Sequence, residues 1–309
     1  MQVNNKLLAA IFFTLLAIWI VRKTACKPTQ CSFRSHITVI DTSSVDRILL
    51  WPKGENGEQI TLTKNPAWMV SDGSKTVKAD PSRVNSILGQ LVNIPVKQLI
   101  SKNPDRQKDY EVDMASGKIV EIYSNDQLID KLIVGRFNFN QQTRSGVSYA
   151  RKDGEDDIYS VDGFISMSFD TDFNSFRPRQ LLQLQSQDLK SIRLTALGQS
   201  TTIQKGIDQN WDMNGLSLDS TAMAQYASSI MNISGSSFYD GTAPSSAADY
   251  SISYQGDNMI EGITINAWNN TDNSDSFILR SSQNDAFFTS DSTGVFSQIF
   301  EKLIELTNS

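Results

Sequence analysis

The sequence predicts an α+β protein of two tandem similar lobes, each an antiparallel sheet with helices packed on one face, preceded by an N-terminal membrane helix. Three observations predict this class. A charge-free apolar segment lies near the N-terminus, short alternating strand patterns fill the remainder, and a Trp, a capping Asp and an apolar helical stripe recur in that order. A length of 309 residues fits about two domains. We expect a membrane anchor or signal segment at 1–25, a juxtamembrane linker at 26–36, and α+β repeats at 37–187 and 188–309.

Residues 7–21 read LLAAIFFTLLAIWIV and carry no charge. As a helix this segment is roughly 22 Å long, shorter than a bilayer core of about 30 Å. Flanking Lys6 and Arg22 can extend toward the headgroups. Arg22 and Lys23 stand where a cleavable signal peptide has small residues, which favours an uncleaved anchor. The residues expected to contact lipid are Leu7, Phe12, Phe13, Leu16, Trp19 and Val21.

The fate and orientation of the N-terminus stay open. Ala25 precedes Cys26, so a lipoprotein is an alternative, as is secretion after signal cleavage. Cys26 and Cys31 are compatible with a disulfide, a lipid site or two idle thiols. Lysine and arginine counts beside the anchor slightly favour a cytoplasmic body. The absence of cysteine after Cys31 and the many Ser, Thr, Asn and Gln residues favour an extracytoplasmic one, which we expect.

The first lobe opens with strand patterns at 48–51, 59–63 and 68–70. A helix follows, because Asp80 can cap its N-terminus and Pro81 fits its first turn. Its apolar stripe is Val84, Ile87, Leu88 and Leu91. Two hairpins are expected after it, at 118–134 and 147–161.

The second lobe repeats this order. Strands are predicted at 191–194 and 200–204, Trp211 takes the place of Trp68, and Asp219 takes the place of Asp80. The helix stripe is Met223, Tyr226, Ala227 and Ile230. Further strands are predicted at 250–254, 262–268, 276–280 and 286–290, and the final helix has Phe296, Ile299, Phe300 and Leu303 on one face.

Several short motifs, taken in order, resemble a bacterial family known as domain of unknown function 4340. They are the anchor, Phe33-Arg34, Ile40-Asp41-Thr42 before 45–48, Trp68 before 79–81, and Phe176-Arg177 with Leu181-Leu182 before 188–192. The resemblance covers most of residues 33–305. It implies a membrane-tethered or exported envelope protein, in some cases associated with ABC-type transporters, and it supplies no catalytic residues. The polar second copy departs from some members of the family.

Candidate reactive groups are few. His36 is the one histidine, and a strand-edge or linker role is expected. Glu155, Asp156 and Asp157 near Asp153 could bind calcium, but they lack the alternating ligand spacing of a calcium loop. Asp170 and Asp172 could form the carboxylate pair of a glycoside hydrolase, but helix capping or simple exposure explains them better.

We therefore expect no catalytic, cofactor-binding or metal-ligating residue and no cofactor. A net charge of −6 argues against nucleic acid as a partner. Residues 1–180 carry 23 basic and 20 acidic groups (+3), and residues 181–309 carry 5 and 14 (−9). The acidic second half favours solubility and could suit a basic partner.

The sequence favours a non-enzymatic protein of the bacterial inner membrane, with its body in the periplasm. It would bind or scaffold an envelope complex, and the resemblance implies an ABC transporter as partner. The alternative is a periplasmic or surface binding protein for a polymer or peptide, with Tyr239 and Trp268 on its ligand surface. A carboxylate-dependent hydrolase is the third and least favoured hypothesis.

Overall fold

The computed structural model describes Thr14 and residues 34–142, 144–185, 188–271 and 276–308. The predicted anchor at 7–21, apart from Thr14, lies outside the described residues, as do Cys26 and Cys31. Among the residues that are described, no helix combines the length and apolar character needed to cross a membrane. The chain divides into two compact units, Met1–Phe176 and Arg177–Ser309.

Two predicted boundaries differ from the structure. The lobe boundary at 187/188 lies too far along the chain, because Leu181 and Leu182 are fully buried in the core of the second unit. The linker predicted at 26–36 extends too far as well. The Ser35 carbonyl accepts a hydrogen bond from the Val96 N–H, and His36 begins the first strand.

The first unit contains ten strands and two α-helices within the described residues. The strands are β1 (His36–Val39), β2 (Arg47–Trp51), β3 (Ile60–Lys64), β4 (Trp68–Ser71), β5 (Thr76–Lys78), β6 (Asn93–Ser101), β7 (Lys118–Ser124), β8 (Gln127–Asn140), β9 (Ser145–Lys152) and β10 (Ile158–Asp162). The helices are α1 (Pro81–Leu91) and α2 (Ile165–Ser168), and 3₁₀ turns occupy Pro104–Arg106, Lys108–Tyr110 and Phe173–Phe176.

The second unit contains the remaining described elements. Its strands are β11 (Gln180–Gln183), β12 (Leu189–Ala196), β13 (Gln199–Lys205), β14 (Trp211–Met213), β15 (Leu216–Ser217), β16 (Asn232–Ser234), β17 (Ser237–Tyr239), β18 (Tyr250–Gly256), β19 (Ile263–Asn269), β20 (Ser276–Ser281) and β21 (Asn284–Asp291). Its helices are α3 (Ser220–Ser229), a π-helical segment at Ser297–Glu301, and α4 (Lys302–Asn308).

Strand order follows one scheme in both units, and every pairing is antiparallel. The first sheet runs β1-β6-β10-β9-β8-β7-β2-β3-β4-β5. The second runs β17-β21-β20-β19-β18-β12-β13-β14-β15, and β11 pairs separately with β16. Thus β2 corresponds to β12, β7 to β18, and β10 to β21, with α1 and α3 at equivalent places in the chain.

Each unit has its own core, formed where one sheet face meets its helices. The Asp80 carboxylate accepts the Ser82 N–H at 2.8 Å and caps α1, whose buried residues are Val84, Ile87, Leu88 and Leu91. Asp219 caps α3 through the Thr221 and Ala222 N–H groups, and α3 buries Met223, Tyr226 and Ala227. Both predicted caps and both apolar stripes are confirmed. The final helical turns bury Phe296, Ile299, Phe300 and Leu303, also as predicted.

The opposite sheet faces differ between the units. In the first sheet β10, β9 and β8 separate β6 from β7, so the connection at 102–117 crosses those three strands. It covers a second apolar cluster, in which Val112 packs with Ile119, Ile133 and Ile158. The first sheet is therefore covered on both faces, on one by helices and on the other by this connection.

In the second sheet β21, β20 and β19 separate β17 from β18, and the connection at 240–249 crosses them. This connection is shorter and reads DGTAPSSAAD, without a large apolar residue. It cannot bury a second core, so part of that face stays accessible.

Candidate functional site

The face of the second sheet that points away from its helices is called the open face. Alternation along the strands defines it. Ala267, Leu279 and Phe288 are fully buried in the core, so their neighbours Trp268, Arg280 and Phe287 point to the other side. We describe the open face on β19, β20, β21 and β17.

The register arranges this face in three rows of side chains directly opposite each other. The polar row is Asn270, Ser276 and Asp291. The Trp268 row is Trp268, Ile278, Thr289 and Ser237, and the Tyr239 row is Asn266, Arg280, Phe287 and Tyr239. Four adjacent strands span about 14 Å, and successive rows lie about 7 Å apart. The area suits a small ligand or one segment of a larger one.

Both predicted ligand residues lie on this face. Trp268 and Tyr239 are each half-buried and fall in neighbouring rows, on β19 and β17. The Trp268 ring centroid lies 6.1 Å from that of Phe287, and the Arg280 guanidinium lies 5.2 Å from the Phe287 ring. The sequence analysis named Trp268 and Tyr239 as ligand residues, but it did not name their neighbours Phe287 and Arg280.

The crossing connection at 240–249 fixes the two predicted residues. The Trp268 indole N–H donates to the Ser246 carbonyl at 3.0 Å, and the Tyr239 hydroxyl donates to the Thr242 carbonyl at 3.2 Å. The Asn269 N–H donates to the Asp249 carboxylate at 2.8 Å. These bonds hold the connection against the open face where it crosses from β17 to β18.

A cavity of about 440 Å³ lies at the other end of the face. Its lining includes Ser236, Ser237, Asn270, Ser276, Thr289 and Asp291. It therefore shares residues with the Trp268 row and contains the whole polar row. The volume falls within the range of small-molecule sites, and the lining is rich in hydroxyl groups.

Two arginines at the start of the second unit position the edge strand β17. Arg177 is 4% exposed and makes a bidentate pair with Asp240, at 2.8 and 2.9 Å. Its guanidinium lies 3.7 Å from the Phe238 ring centroid. Arg179 donates to the Ser236 carbonyl at 2.7 Å. Arg177, a residue of the family resemblance, thus fixes both β17 and the start of the crossing connection.

The corresponding face of the first unit is held closed by a buried arginine. Arg151 is 6% exposed and donates its Nε–H to the Val112 carbonyl at 2.5 Å. It also donates to the Lys152 and Glu155 carbonyls, at 3.3 and 3.4 Å. Burial lowers the pKa of this guanidinium, and nearby aspartates partly oppose that shift. The group stays charged at neutral pH and serves to hold 102–117.

The buried phenols of the second unit also have structural partners. The Tyr226 and Tyr254 hydroxyls lie 2.8 Å apart, and Tyr226 donates to the Ile299 carbonyl at 2.8 Å. Burial raises the pKa of both phenols well above the ordinary value of 10. In the first unit, burial and nearby Asp157 raise the pKa of Tyr159 to about 12. These phenols are neutral at physiological pH.

The acidic residues predicted as a possible calcium site form ion pairs with different basic residues. Glu155 pairs with Arg34 at 2.6 Å, Asp157 with Lys102 at 3.6 Å, and Asp153 with Lys131 at 3.9 Å. Over the described ranges, no group of three or more His, Cys, Asp and Glu side chains could hold a metal ion.

The other polar candidates make local contacts. Asp172 caps a turn by accepting the Ser175 N–H and hydroxyl, at 2.7 and 2.6 Å. His36 is in β1, opposite Pro95, and its Nδ1 lies 2.9 Å from the Ser35 hydroxyl. Both placements match the roles favoured by the sequence.

The fold and this face define a class, namely a two-unit protein of antiparallel sheets with an accessible aromatic and polar face on the second sheet. The family model described as "Domain of unknown function (DUF4340)" matches residues 68–253. The chain belongs to this family, and the match runs from β4 of the first unit to β18 of the second. No curated protein and no solved structure matches the chain.

Proposed function

We propose that this protein is a non-enzymatic binding module of a cell-envelope complex, tethered to the membrane by residues 7–21, with its body outside the cytoplasm. The observation that carries the proposal is the open face of the second sheet. Trp268, Phe287 and Arg280 are grouped there beside a hydroxyl-lined cavity. Aromatic and arginine side chains are enriched where proteins bind partners.

The difference between the two units supports this role. The first unit covers its equivalent face with 102–117 and a buried apolar cluster. The second unit crosses the same place with a short connection of small and polar residues. The scaffold is thus present twice, and one copy leaves its face accessible. We infer that the first unit has a structural role and that the second unit binds the partner. The partner that the family resemblance implies is an ABC-type transporter.

A second candidate is a binding protein for an extended polymer or peptide. Its support is the placement of Tyr239 and Trp268 in adjacent rows of one face. Those rows are spaced to contact consecutive units of an extended chain. The two candidates share the face and differ in what occupies it.

Site-specific photocrosslinking of the full-length chain in cells tests the proposed role. A benzophenone residue replaces Asn266 in the Tyr239 row, and a matched one replaces Thr202, a half-buried position on β13 of the same sheet. We expect a discrete adduct from position 266, absent at 202 and abolished by Phe287→Ala. Equal adducts from both positions, or none from 266, would contradict the proposal.

A further inference from the structure

The 440 Å³ cavity has a lining that selects for one ligand chemistry. Hydroxyl and amide groups come from Ser237, Asn270 and Thr289, and Asp291 is the one ionisable side chain among the described residues of the lining. Hydroxyls and amides both donate and accept hydrogen bonds, while a carboxylate only accepts. A ligand that both donates and accepts at many positions matches these groups.

Charge disfavours an anionic ligand in this cavity. Among the described residues that line the cavity, one carries a carboxylate and none is lysine or arginine. Residues 181–309 carry 5 basic and 14 acidic groups, a net charge of −9. A phosphate or a uronic acid would meet repulsion at this site.

Free hydrogen-bonding capacity remains in the cavity. Asp291 accepts the Thr293 N–H and hydroxyl through Oδ1, both at 3.0 Å. Within the described residues, the hydroxyls of Ser237 and Thr289 make no hydrogen bond. These hydroxyls can therefore bind a ligand without breaking an existing contact.

The apolar part of the site lies in the same row as these hydroxyls: Ile278 is directly opposite Thr289, and Trp268 lies one strand further, about 10 Å from Thr289. Trp268 and Ile278 occupy the same row as Thr289 and Ser237. An aromatic ring offers a flat apolar surface against which the C–H face of a sugar ring can pack. An apolar platform next to hydroxyl, amide and carboxylate groups is complementary to a molecule with one apolar face and a polar rim.

We propose that this cavity and the adjacent Trp268 row bind a neutral, hydroxyl-rich saccharide, with Thr289 and Asp291 as polar contacts and Trp268 as the stacking platform. The inference rests on the proposed binding role and names its ligand class. A peptide on the same face is the alternative occupant and is an outcome of the test.

Titration of the full-length chain with defined oligosaccharides, followed by tryptophan fluorescence and calorimetry, tests this assignment. The probes are maltohexaose, cellohexaose, mannohexaose and hexa-N-acetylchitohexaose, and the anionic comparison is hexagalacturonate. We expect at least one neutral probe to bind and the anionic one not to bind. Thr289→Val keeps the shape and removes the hydroxyl, and it should weaken binding about tenfold. Trp268→Ala should abolish the binding.

Thr202→Val makes the same substitution on the same sheet outside the site and should leave affinity unchanged. Asp291→Asn retains an acceptor oxygen for Thr293 and supplies a second, conservative variant. The assignment is overturned if no neutral probe binds at up to about 10 mM, the range of weak sites. It is also overturned if Thr289→Val and Thr202→Val bind alike. Saccharide failure with an intact adduct at position 266 would leave the binding role standing and replace the ligand class with a protein or peptide.

Discussion

Replacing Arg151 by Met should release the covering connection at 102–117, whereas replacing Arg280 by Met should release nothing. Both arginines lie on strands at corresponding places in the two sheets, β9 and β20. Arg151 is 6% exposed beneath the connection, while the Arg280 side chain is 46% exposed on the open face. The pair therefore compares a closed face with an open one.

The magnitude follows from the contacts of Arg151. Its Nε–H bond to the Val112 carbonyl is short at 2.5 Å, and its two other backbone bonds are longer than 3.2 Å. A hydrogen bond from a charged donor contributes about 1.5–3 kcal/mol, and an unsatisfied buried carbonyl costs about 1–3 kcal/mol. Removing a buried charge offsets part of this loss. The net expectation is about 3 kcal/mol for Arg151→Met and under about 0.5 kcal/mol for Arg280→Met.

Hydrogen exchange followed by mass spectrometry measures this difference segment by segment. A loss of about 3 kcal/mol makes the amides of 102–117 exchange roughly 100-fold faster. Arg280→Met should change no segment by more than about twofold. Equal effects of the two substitutions would refute the claim that one face is sealed and the other open.

Three further predictions concern stability. Asp80→Ala and Asp219→Ala should each cost about 1 kcal/mol in urea denaturation, since each removes a helix cap; a cost at one site alone would contradict the shared design. Because burial raises the pKa of Tyr226 and Tyr254, both stay protonated in the fold while unfolded tyrosine ionises near pH 10. The contribution of these tyrosines to stability should therefore be constant well below pH 10 and fall above it, by about 1.4 kcal/mol per tyrosine at pH 11. The fall should be less steep in Tyr226→Phe, and an unchanged slope would contradict this. Gly235→Ala places a Cβ against a buried phenylalanine ring and should cost about 1–3 kcal/mol in thermal denaturation, whereas a neutral effect would contradict that packing.

Local signals predicted α1, α3, the final helical turns and many of the strands, whereas the short helix α2 was not predicted. The Asp80-Pro81 cap and the i, i+3, i+4, i+7 stripe all lie within about three turns of chain, so α1 agrees closely with the prediction. Strand β6 was missed because Pro95 and Lys97 interrupt a regular apolar alternation. Its pairing with β1 and β10 stabilises it, and these partners are distant in the chain.

The candidate site depended on information that sequence patterns do not contain. Trp268 and Tyr239 are separated by 29 positions (268 − 239), and only strand order and register place them on one face. Phe287 and Thr289 carried a local signal, because they alternate with the buried Phe288 on β21. The crossing connections were not predictable, since their positions follow from which strands are neighbours.

Hydroxyl-radical footprinting of the full-length chain, in intact cells and after purification, tests the binding role of the open face most directly. The reporters are Trp268 and Tyr239, and the control is Leu216, which is 66% exposed on edge strand β15 of the same sheet. A bound partner excludes water from the residues it covers, so oxidation of Trp268 and Tyr239 should fall about threefold or more in cells while Leu216 is unchanged. Equal oxidation of Trp268 in both samples would contradict the account.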